Sequence, residues 1–418
     1  MKIIEKYNSV SLILRILCGL VLGAILGLLF KDLGVVSLLG TLFVGALKAI
    51  APVLVFVLVV SALAQGSARL DRRFALVIAL YLISTLLASF FAVGASFVFP
   101  QTLMLGETAT AASAVPTGVG EVLKNLLLTM VSNPLRAIVE GSYISILFWA
   151  VIFGLAAKKL AGDGTKKMLG DVSDIVSRMV RWIINLAPFG ILGLVYQNVA
   201  ENGLAIFRDY GKVLLLLVGC MLVAVLIIDP IIVAVVLRRN PYPLVLRCLR
   251  ESGVTAFFTR SSAANIPVNM ELCDKLGLDP EMYAVSIPLG ATINMDGAAI
   301  TIAVMALAAA NTVGIHVSFV TAIVLAFIAT LAACGTSGVA GGSLLLIPMA
   351  CSLFGVDADT AMQVVAVGFV ISVVQDSLET AINSAGDVIF TATAEYAKWK
   401  KEGRSLPKFL GGTTETRV

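Results

Sequence analysis

The sequence predicts an all-α polytopic membrane protein. Hydrophobic residues make up 59% of its 418 residues and charged residues only 13%, and the mean hydropathy is +0.99. Soluble domains carry about a quarter charged residues, so this composition indicates a chain that resides in a bilayer. The apolar residues are also gathered into long segments, as helices that cross a membrane require.

Eight transmembrane helices are predicted from these segments. The segments cover about 9–30, 35–65, 74–99, 121–157, 171–198, 211–238, 280–313 and 359–398. If the spans alternate in direction, most basic loop residues fall on one side of the membrane, and lysine and arginine are enriched in cytoplasmic loops. We therefore expect both termini in the cytoplasm, which agrees with an even number of spans.

Other compositional signals exclude several classes of function. Lysine and arginine exceed the acidic residues by only 30 to 26, a surplus too small to indicate a nucleic-acid partner. The six cysteines show no CxxC spacing and no disulfide framework. Since His316 is the only histidine, a His-rich metal site is excluded. The first apolar run continues to about residue 30 and suits a retained span better than a cleaved signal peptide.

Two further segments, 243–275 and 318–355, are too polar at their centres to cross the membrane as ordinary helices. The first is interrupted by Thr259–Pro267 and the second by Gly335–Ser343, and both interruptions are rich in small polar residues. Each segment is interpreted as two short helical arms that meet at a polar tip. The sequence therefore predicts two re-entrant helical hairpins.

The segment Gly290–Gly297 lies within a long apolar run and contains Asn294 and Asp296. A glycine weakens a helix interior by about 1 kcal/mol relative to alanine, and a carboxylate at the bilayer centre costs at least ~2.5–3.5 kcal/mol. A helix broken at membrane depth is tolerated where protein or a water-filled cavity surrounds it. We expect such a break here; a kinked structural helix with a satisfied aspartate is the alternative.

The last predicted span carries a stripe of polar side chains, namely Asp376, Glu379, Thr380, Asn383 and Asp387. At ~100° per residue they fall within about 100° of one another around the helix. Carboxylates at this depth need cations, protons or a bound ammonium group. Arg260 is the only nearby basic residue in the membrane-depth segments, and one arginine cannot balance them all.

An Asn followed by an Asp recurs in both interrupted spans, and paired interrupted segments are typical of a transporter's midplane site.

The residue types favour a carrier that couples a cation to an amino acid. Oxygen donors without histidine or thiolate suit Na⁺, Mg²⁺ or Ca²⁺, and Na⁺ is the expected ion because broken helices hold it in transporters. The hairpin tips expose backbone N–H groups that suit a substrate carboxylate, and Asp376 suits an ammonium group.

A proton-coupled carrier is the alternative, since carboxylates can titrate. An intramembrane serine hydrolase built on Ser337 and His316 rests on a weak four-residue motif.

These motifs together resemble the dicarboxylate/amino acid:cation symporter family, which has the glutamate-transporter fold. The resemblance covers nearly the whole chain. It implies inverted repeats, a homotrimer in a bacterial cytoplasmic (inner) membrane, and elevator-type alternating access with the second hairpin as extracellular gate. It also implies a division into a scaffold, at 1–73 and 121–200, and a transport domain, at 74–120 and 201–418.

The resemblance also implies the site residues. One sodium site would use Gly290, Asn294, Asn383 and Asp387; part of a second would use Thr292 and Thr336; a third would use Tyr81, Ser84 and Thr85 with Asn294 and Asp296. In the second site a serine common in the family is replaced by Ala333. The substrate would be held by Ser261, Ser262, Asp376, Glu379, Thr380 and Asn383, together with Val339 and Gly341 of the second tip.

Two departures from the family pattern concern substrate charge. Members that carry acidic substrates hold the side-chain carboxylate with an arginine where this chain has Glu379, and with a threonine where it has Ala298. A like charge in a desolvated site costs several kcal/mol, so aspartate and glutamate should be excluded. The pattern looks like the bacterial sodium-coupled serine/threonine symporter branch. We also hypothesise that Arg260 pairs with Glu379 and orients it toward a substrate hydroxyl.

Overall fold

The computed structural model of the chain describes residues 10, 12–30, 33–65, 72–105, 128, 130–140, 142–203, 205–334, 336 and 341–414. Within these ranges the chain forms helices and their connections, and its only β-structure is an isolated bridge between Pro407 and Thr414. The prediction of an all-α protein is confirmed.

The α-helices are numbered in chain order: α1 Leu12–Leu29, α2 Gly34–Gln65, α3 Arg72–Val98, α4 Pro134–Glu140, α5 Tyr143–Leu160, α6 Asp163–Asn185, α7 Ala187–Asn202, α8 Ala205–Val223, α9 Asp229–Leu237, α10 Tyr242–Cys248, α11 Val254–Thr259, α12 Ser262–Lys275, α13 Pro280–Ile293, α14 Asp296–Thr312, α15 Phe319–Ala333, α16 Ile347–Ser352 and α17 Ala358–Lys401. Two π-helical turns, Ala224–Ile228 and Leu249–Gly253, join α8 to α9 and α10 to α11. Short 3₁₀ turns lie at Ser343–Leu346 and Lys408–Leu410.

Among the described residues, four helical stretches are long and apolar enough to cross a membrane. They are Arg73–Val98, Phe207–Leu237, Pro280–Thr312 and Ala358–Lys401. The segment predicted as one span at 171–198 consists of two helices, α6 and α7, bent by 51°, which together are long and apolar enough for one broken span. The bend has a local cause, because Pro188 in the first turn of α7 lacks the N–H that would continue the hydrogen-bond ladder from α6.

Helices α1, α2 and α7 approach one another closely through glycines. A Cβ on Gly23 of α1 would lie 2.5 Å from the backbone oxygen of Leu192, and a Cβ on Gly40 of α2 would lie 2.8 Å from the backbone nitrogen of Leu194. Small residues allow helices in a membrane to pack at short distance, where dispersion contacts hold them together. Helix α2 also packs on α5 and α6.

Helices α14 and α17 form the centre of a second group of packed helices, besides the group that contains α1, α2 and α7. Every residue of α14 from Asp296 to Ala310 is buried, and α14 packs on α3, α8, α15, α16 and α17. The arms α11 and α12 pack on each other at the Arg260 turn, and both pack on α17. The polar stripe of α17 therefore faces other helices and not lipid.

The predicted helix break is confirmed at Asn294 and Met295, which separate α13 from α14. Their backbone angles leave the helical region, with φ −94° and ψ 85° at Asn294 and φ −129° and ψ 50° at Met295. Buried N–H groups need acceptors. The N–H of Gly297 donates to Asn383 Oδ1 at 2.9 Å, and the N–H of Met295 donates to Thr85 Oγ1 at 3.3 Å. Side chains of α17 and α3 thus stabilise the break.

The π-helical turn between α8 and α9 also has a local cause. Pro230 has no N–H to give to the carbonyl of Leu226, and that carbonyl instead accepts from the Tyr242 hydroxyl at 3.2 Å. The N–H of Asp229 donates to Ala224 five residues earlier. Single π-helical turns of this kind often occur at functional positions, and this one places Asp229 against α3.

Candidate functional site

Asp376 of α17 is held from both hairpins. Its Oδ2 lies 2.6 Å from Nε of Arg260 at the first tip, and its Oδ1 accepts from the N–H of Gly341 at 2.9 Å. Arg260 and Asp376 are only 5% and 2% exposed. Charged side chains are almost never this buried unless they are paired. Residues of both hairpins therefore meet at Asp376.

The hypothesis that Arg260 pairs with Glu379 is wrong. Arg260 ends α11 with a left-handed backbone, φ 51°, and its Nε lies against Asp376, one turn before Glu379. Its buried Nη1 has no hydrogen-bond partner in the described part of the chain. The arginine therefore pairs with Asp376, the carboxylate expected to bind a substrate ammonium group.

Glu379 is bound by neutral donors. Thr301 and Ser343 each donate to Oε2 at 2.9 Å, and Gln375 donates to the same oxygen at 2.5 Å. Glu379 is 6% exposed, and none of the ion pairs between described residues includes it. The three donors meet at Oε2, so the hydrogen bonds of this side chain within the described residues leave Oε1 free to accept.

Three other residues that the resemblance assigns to the substrate lie near Asp376 and Arg260. The Thr380 hydroxyl donates to the backbone oxygen of Asp376 at 2.7 Å. Ser261 begins α12 as its N-cap and accepts from the N–H of Ala264 at 3.2 Å, while Ser262 is buried. The N-terminus of α12, where N–H groups suited to an anion are found in helices, thus lies beside Arg260.

Asp387, two turns further along α17 from Thr380, forms the first of two clusters of residues that the resemblance assigns to cation sites. Its Oδ1 accepts from Asn294 at 3.1 Å, and its Oδ2 accepts from Asn269 at 3.4 Å. The Tyr81 hydroxyl is 3.1 Å from the backbone oxygen of Asp387. A Cβ on Gly290 would lie 2.6 Å from Asp387 Oδ1 and 2.8 Å from the Tyr81 oxygen, so only glycine fits in this cradle.

Asp296 forms the second cluster, with α3. Its Oδ1 accepts from Thr85 at 2.7 Å and its Oδ2 from Ser84 at 2.5 Å. Ser84 also lies 2.7 Å from Oδ1 of Asp229. Both carboxylates are buried, and the basic residues of the described ion pairs contact neither of them.

The donor set fits sodium. All the groups are oxygens, which hard cations prefer, and the carboxylates of Asp296 and Asp387 have no basic partner among the described ion pairs. The buried Oδ1 of Asn294, which belongs to the break between the two clusters, has no hydrogen-bond partner there. The glycine cradle at Gly290 provides room beside Asp387 that any other residue would fill.

Two residues assigned by resemblance to a sodium site, Thr292 and Thr336, do not join these clusters. Thr292 is exposed and its hydroxyl donates to the backbone of Leu289 at 2.7 Å. The hydroxyl of Thr336 donates to the backbone of Ala333 at 2.8 Å. Val339 lies outside the described residues. The structure therefore gathers the residues assigned to the first and third sodium sites but not the two threonines of the second.

Sequence reasoning missed several residues of the site. Asp229, Thr301, Ser343 and Gln375 are all buried and contact the assigned groups. Asp229 carried a usable signal, because it is an acidic residue inside the apolar segment 211–238 and such residues indicate function by default. The other three are neutral residues of apolar or small-residue segments and carried no comparable signal.

Comparison with known proteins gives the family. A sequence model described as the sodium:dicarboxylate symporter family matches residues 12–397. The chain belongs to this family. The resemblance identified from its motifs is thus confirmed, and the family's members are transporters and not enzymes, which excludes the serine hydrolase alternative.

Individual members of the family cover almost the whole chain. A protein of Bifidobacterium adolescentis, named serine/threonine transporter SstT, is 61% identical over 97% of this chain and 94% of its own length. Proteins with the same name from Streptococcus thermophilus and Streptococcus agalactiae are each 54% identical over 96% of this chain, and over 99% and 100% of their own lengths. The chain is thus a multi-pass membrane protein of a sodium-coupled symporter family.

Proposed function

We propose that this protein is a Na⁺-coupled symporter that takes up small neutral amino acids, serine and threonine in particular. The relatives named as serine/threonine transporters support this substrate class. The site offers what a free amino acid needs: a carboxylate at Asp376 for the ammonium group, and helix N–H groups at Ser261 and Ser262 for the carboxylate.

The observation that carries the proposal is Glu379. It lies one turn from Asp376 on the buried face of α17 and is surrounded by the neutral donors Thr301, Ser343 and Gln375. A substrate with a side-chain carboxylate would meet a second carboxylate here and no cation to balance it, which costs several kcal/mol in a desolvated site. A neutral side chain avoids that cost.

Glu379 also gives a reason for preferring a hydroxyl-bearing substrate. Because its donors occupy Oε2, Oε1 is available to accept from the hydroxyl of serine or threonine. A hydrogen bond to a charged acceptor contributes about 1.5–3 kcal/mol. This replaces the hypothesis in which Arg260 orients Glu379, since Thr301, Ser343 and Gln375 fix the carboxylate instead.

Sodium would be held by the two clusters described above. Asp387, Asn383, Asn294 and Gly290 supply one set of oxygens, and Asp296, Ser84 and Thr85 supply the other, with Asn294 Oδ1 at the break between them. Bound Na⁺ supplies positive charge that the buried carboxylates lack, and its gradient supplies the driving force. The protein's own groups fix the ligand oxygens and exclude lipid.

The wider arrangement follows from the family. We expect eight membrane spans and two re-entrant hairpins in a bacterial cytoplasmic membrane, with both termini in the cytoplasm. The regions 1–73 and 121–200 would form a scaffold that assembles as a homotrimer, and 74–120 with 201–418 would form the moving transport domain. The separate packing of α1 and α2 on α7, and of α14 on α3 and α17, supports this division.

Uptake of labelled serine into proteoliposomes tests the proposal. An inward Na⁺ gradient should drive accumulation, and replacing external Na⁺ with K⁺ or choline at fixed pH should abolish it. Unlabelled threonine should compete and aspartate should not. Uptake that follows the pH gradient and is indifferent to Na⁺ would support the proton-coupled alternative, and strong competition by aspartate would contradict the proposed role of Glu379.

A further inference from the structure

Asp229 of α9 belongs to no site that the family resemblance assigns, yet it lies against one. Its Oδ1 is 2.7 Å from Ser84 Oγ, and Ser84 Oγ is 2.5 Å from Asp296 Oδ2. All three side chains are at most 3% exposed. One hydroxyl therefore stands between two buried carboxylates contributed by different helices.

The hydroxyl cannot satisfy both carboxylates. Serine has a single O–H hydrogen and two lone pairs, so it donates to either Asp229 or Asp296. The other contact then brings two electron-rich oxygens together, which is repulsive unless a cation lies beside them or that carboxyl group carries a proton. Asp296 Oδ1 already accepts from Thr85 at 2.7 Å, and neither carboxylate takes part in an ion pair among the described residues.

A second observation indicates where such a cation binds. Asn294 Oδ1 is buried, has no hydrogen-bond partner within the described ranges, and belongs to the helix break that also holds Asp296. A buried amide oxygen without a donor, two residues before Asp296 in the chain, is a group that a hard cation can coordinate.

We propose that Asp229 is a positioning residue of this cation site, which accepts the hydroxyl hydrogen of Ser84 and leaves the lone pairs of Ser84 and Asp296 to the cation. The inference rests on the proposed sodium coupling. Residues that orient a metal ligand through a hydrogen bond contribute about 10–100-fold to metal affinity. Without Asp229 the hydrogen would turn to Asp296 Oδ2 and occupy an oxygen that the cation needs.

A purely structural role does not account for this placement. An acidic residue at the start of a helix can satisfy free N–H groups, but the helix runs continuously through the π-helical turn into α9 and these groups have backbone acceptors. The side chain instead points across to α3, where its described hydrogen-bond partner is Ser84.

The test is a Na⁺ titration of thermal stability in detergent, without amino acid and with choline chloride holding the ionic strength constant. A bound ion raises the melting temperature as its concentration exceeds its dissociation constant, so the titration midpoint reports Na⁺ affinity. We expect Asp229→Leu, which leaves no acceptor for the Ser84 hydrogen, and Ser84→Ala each to raise the midpoint by about 10-fold or more. The midpoint of the double variant should be no higher than the higher of the two single-variant midpoints, because both changes act through one hydroxyl.

Ser96→Ala is the matched control, since it removes another buried hydroxyl of α3 that bonds only its own helix at Ala92; its midpoint should not move. Asp229→Ala, which also lacks an acceptor, provides a second variant if Asp229→Leu does not fold. A lower melting temperature at every Na⁺ concentration with an unchanged midpoint would overturn the inference, as would fully multiplicative effects in the double variant. A wild-type protein that Na⁺ does not stabilise would overturn the proposed coupling itself.

Discussion

The guanidinium of Arg260 lies 2.6 Å from the carboxylate of Asp376, and both are closed off from solvent. The proposed substrate brings an ammonium group to the same carboxylate. Arg260 and the substrate therefore compete for Asp376, and the arginine keeps that carboxylate paired when no substrate is present.

Arg260→Ala should destabilise the substrate-free protein by about 3–5 kcal/mol, because it leaves a buried carboxylate without its cationic partner. Saturating serine should remove much of that loss, since its ammonium group replaces the arginine. Thermal melting with and without serine measures both effects. Arg250→Ala, which removes an exposed arginine of the same hairpin, should change stability by less than about 0.5 kcal/mol. A loss that is the same with and without serine would contradict the competition.

Asp376→Asn should weaken serine binding by about 30-fold or more, since losing one member of a buried charge pair costs at least about 2 kcal/mol. Na⁺ binding should persist, because Asp376 belongs to neither cation cluster. Serine binding by calorimetry and the Na⁺ titration of melting separate the two effects. Equal loss of serine and Na⁺ binding would show that the site had collapsed as a whole.

Glu379→Gln should weaken serine binding by about 10-fold or more and leave alanine binding nearly unchanged, because only serine offers a hydroxyl to Oε1. Competition of each amino acid against labelled threonine uptake measures the ratio. The isosteric glutamine keeps the volume of the site, so the neighbours Thr301 and Ser343 remain packed. Unchanged discrimination between serine and alanine would rule out a hydrogen bond from substrate to Glu379.

Gly290→Ala should raise the Na⁺ concentration needed for uptake by about 10-fold or more. The added methyl group would lie 2.6 Å from Asp387 Oδ1 and 2.8 Å from the Tyr81 oxygen, so it displaces the ligands of the first cluster. Gly219→Ala of α8 is the control, since its Cβ would meet nothing within 4 Å. Both variants are measured by serine uptake over a range of Na⁺ concentrations; a normal Na⁺ dependence in Gly290→Ala would contradict the site.

Acid should weaken one contact outside the membrane. Arg73 donates to Asp279 at 2.8 Å and holds the pKa of that carboxyl below its ordinary value. A depressed folded-state pKa stabilises the protein above the unfolded-state value of about 3.9 and loses this effect as the pH falls through the folded value. Asp279→Asn keeps an oxygen to cap α13 but removes the charge.

The difference in melting temperature between wild type and Asp279→Asn should therefore be present at neutral pH and shrink below about pH 4. Differential scanning calorimetry over this range measures it. A difference that is independent of pH would mean that the charge of Asp279 contributes nothing to stability.

The polar stripe of α17 was predictable because side chains three to four residues apart in a helix share one face. Asp376, Glu379, Asn383 and Asp387 meet different elements in the structure, but they lie on the common face that their spacing predicts. The break at Asn294 was equally predictable, since glycine, asparagine and aspartate together oppose a continuous membrane helix.

The partner of Arg260 was not predictable from spacing. Asp376 and Glu379 are one turn apart on the same face, and the choice between them depends on the left-handed backbone at Arg260 and on the three neutral donors around Glu379. Those donors come from α14, α17 and the turn before α16, which only the folded structure brings together. The bend before α7 was not predicted, because the mean hydropathy of a segment does not register a single proline such as Pro188.

Asn383 accepts from both sides of the broken helix, from Asn294 before the gap and from Gly297 after it. Neither half can slide along α17 without giving up one of these bonds. The proposed sites for the ion and the substrate are therefore fixed to the same helix, α17, and a movement of one site moves the other. Movement of the ion or the substrate alone would require these two hydrogen bonds to break. We therefore expect them to determine how tightly substrate uptake is coupled to the Na⁺ gradient.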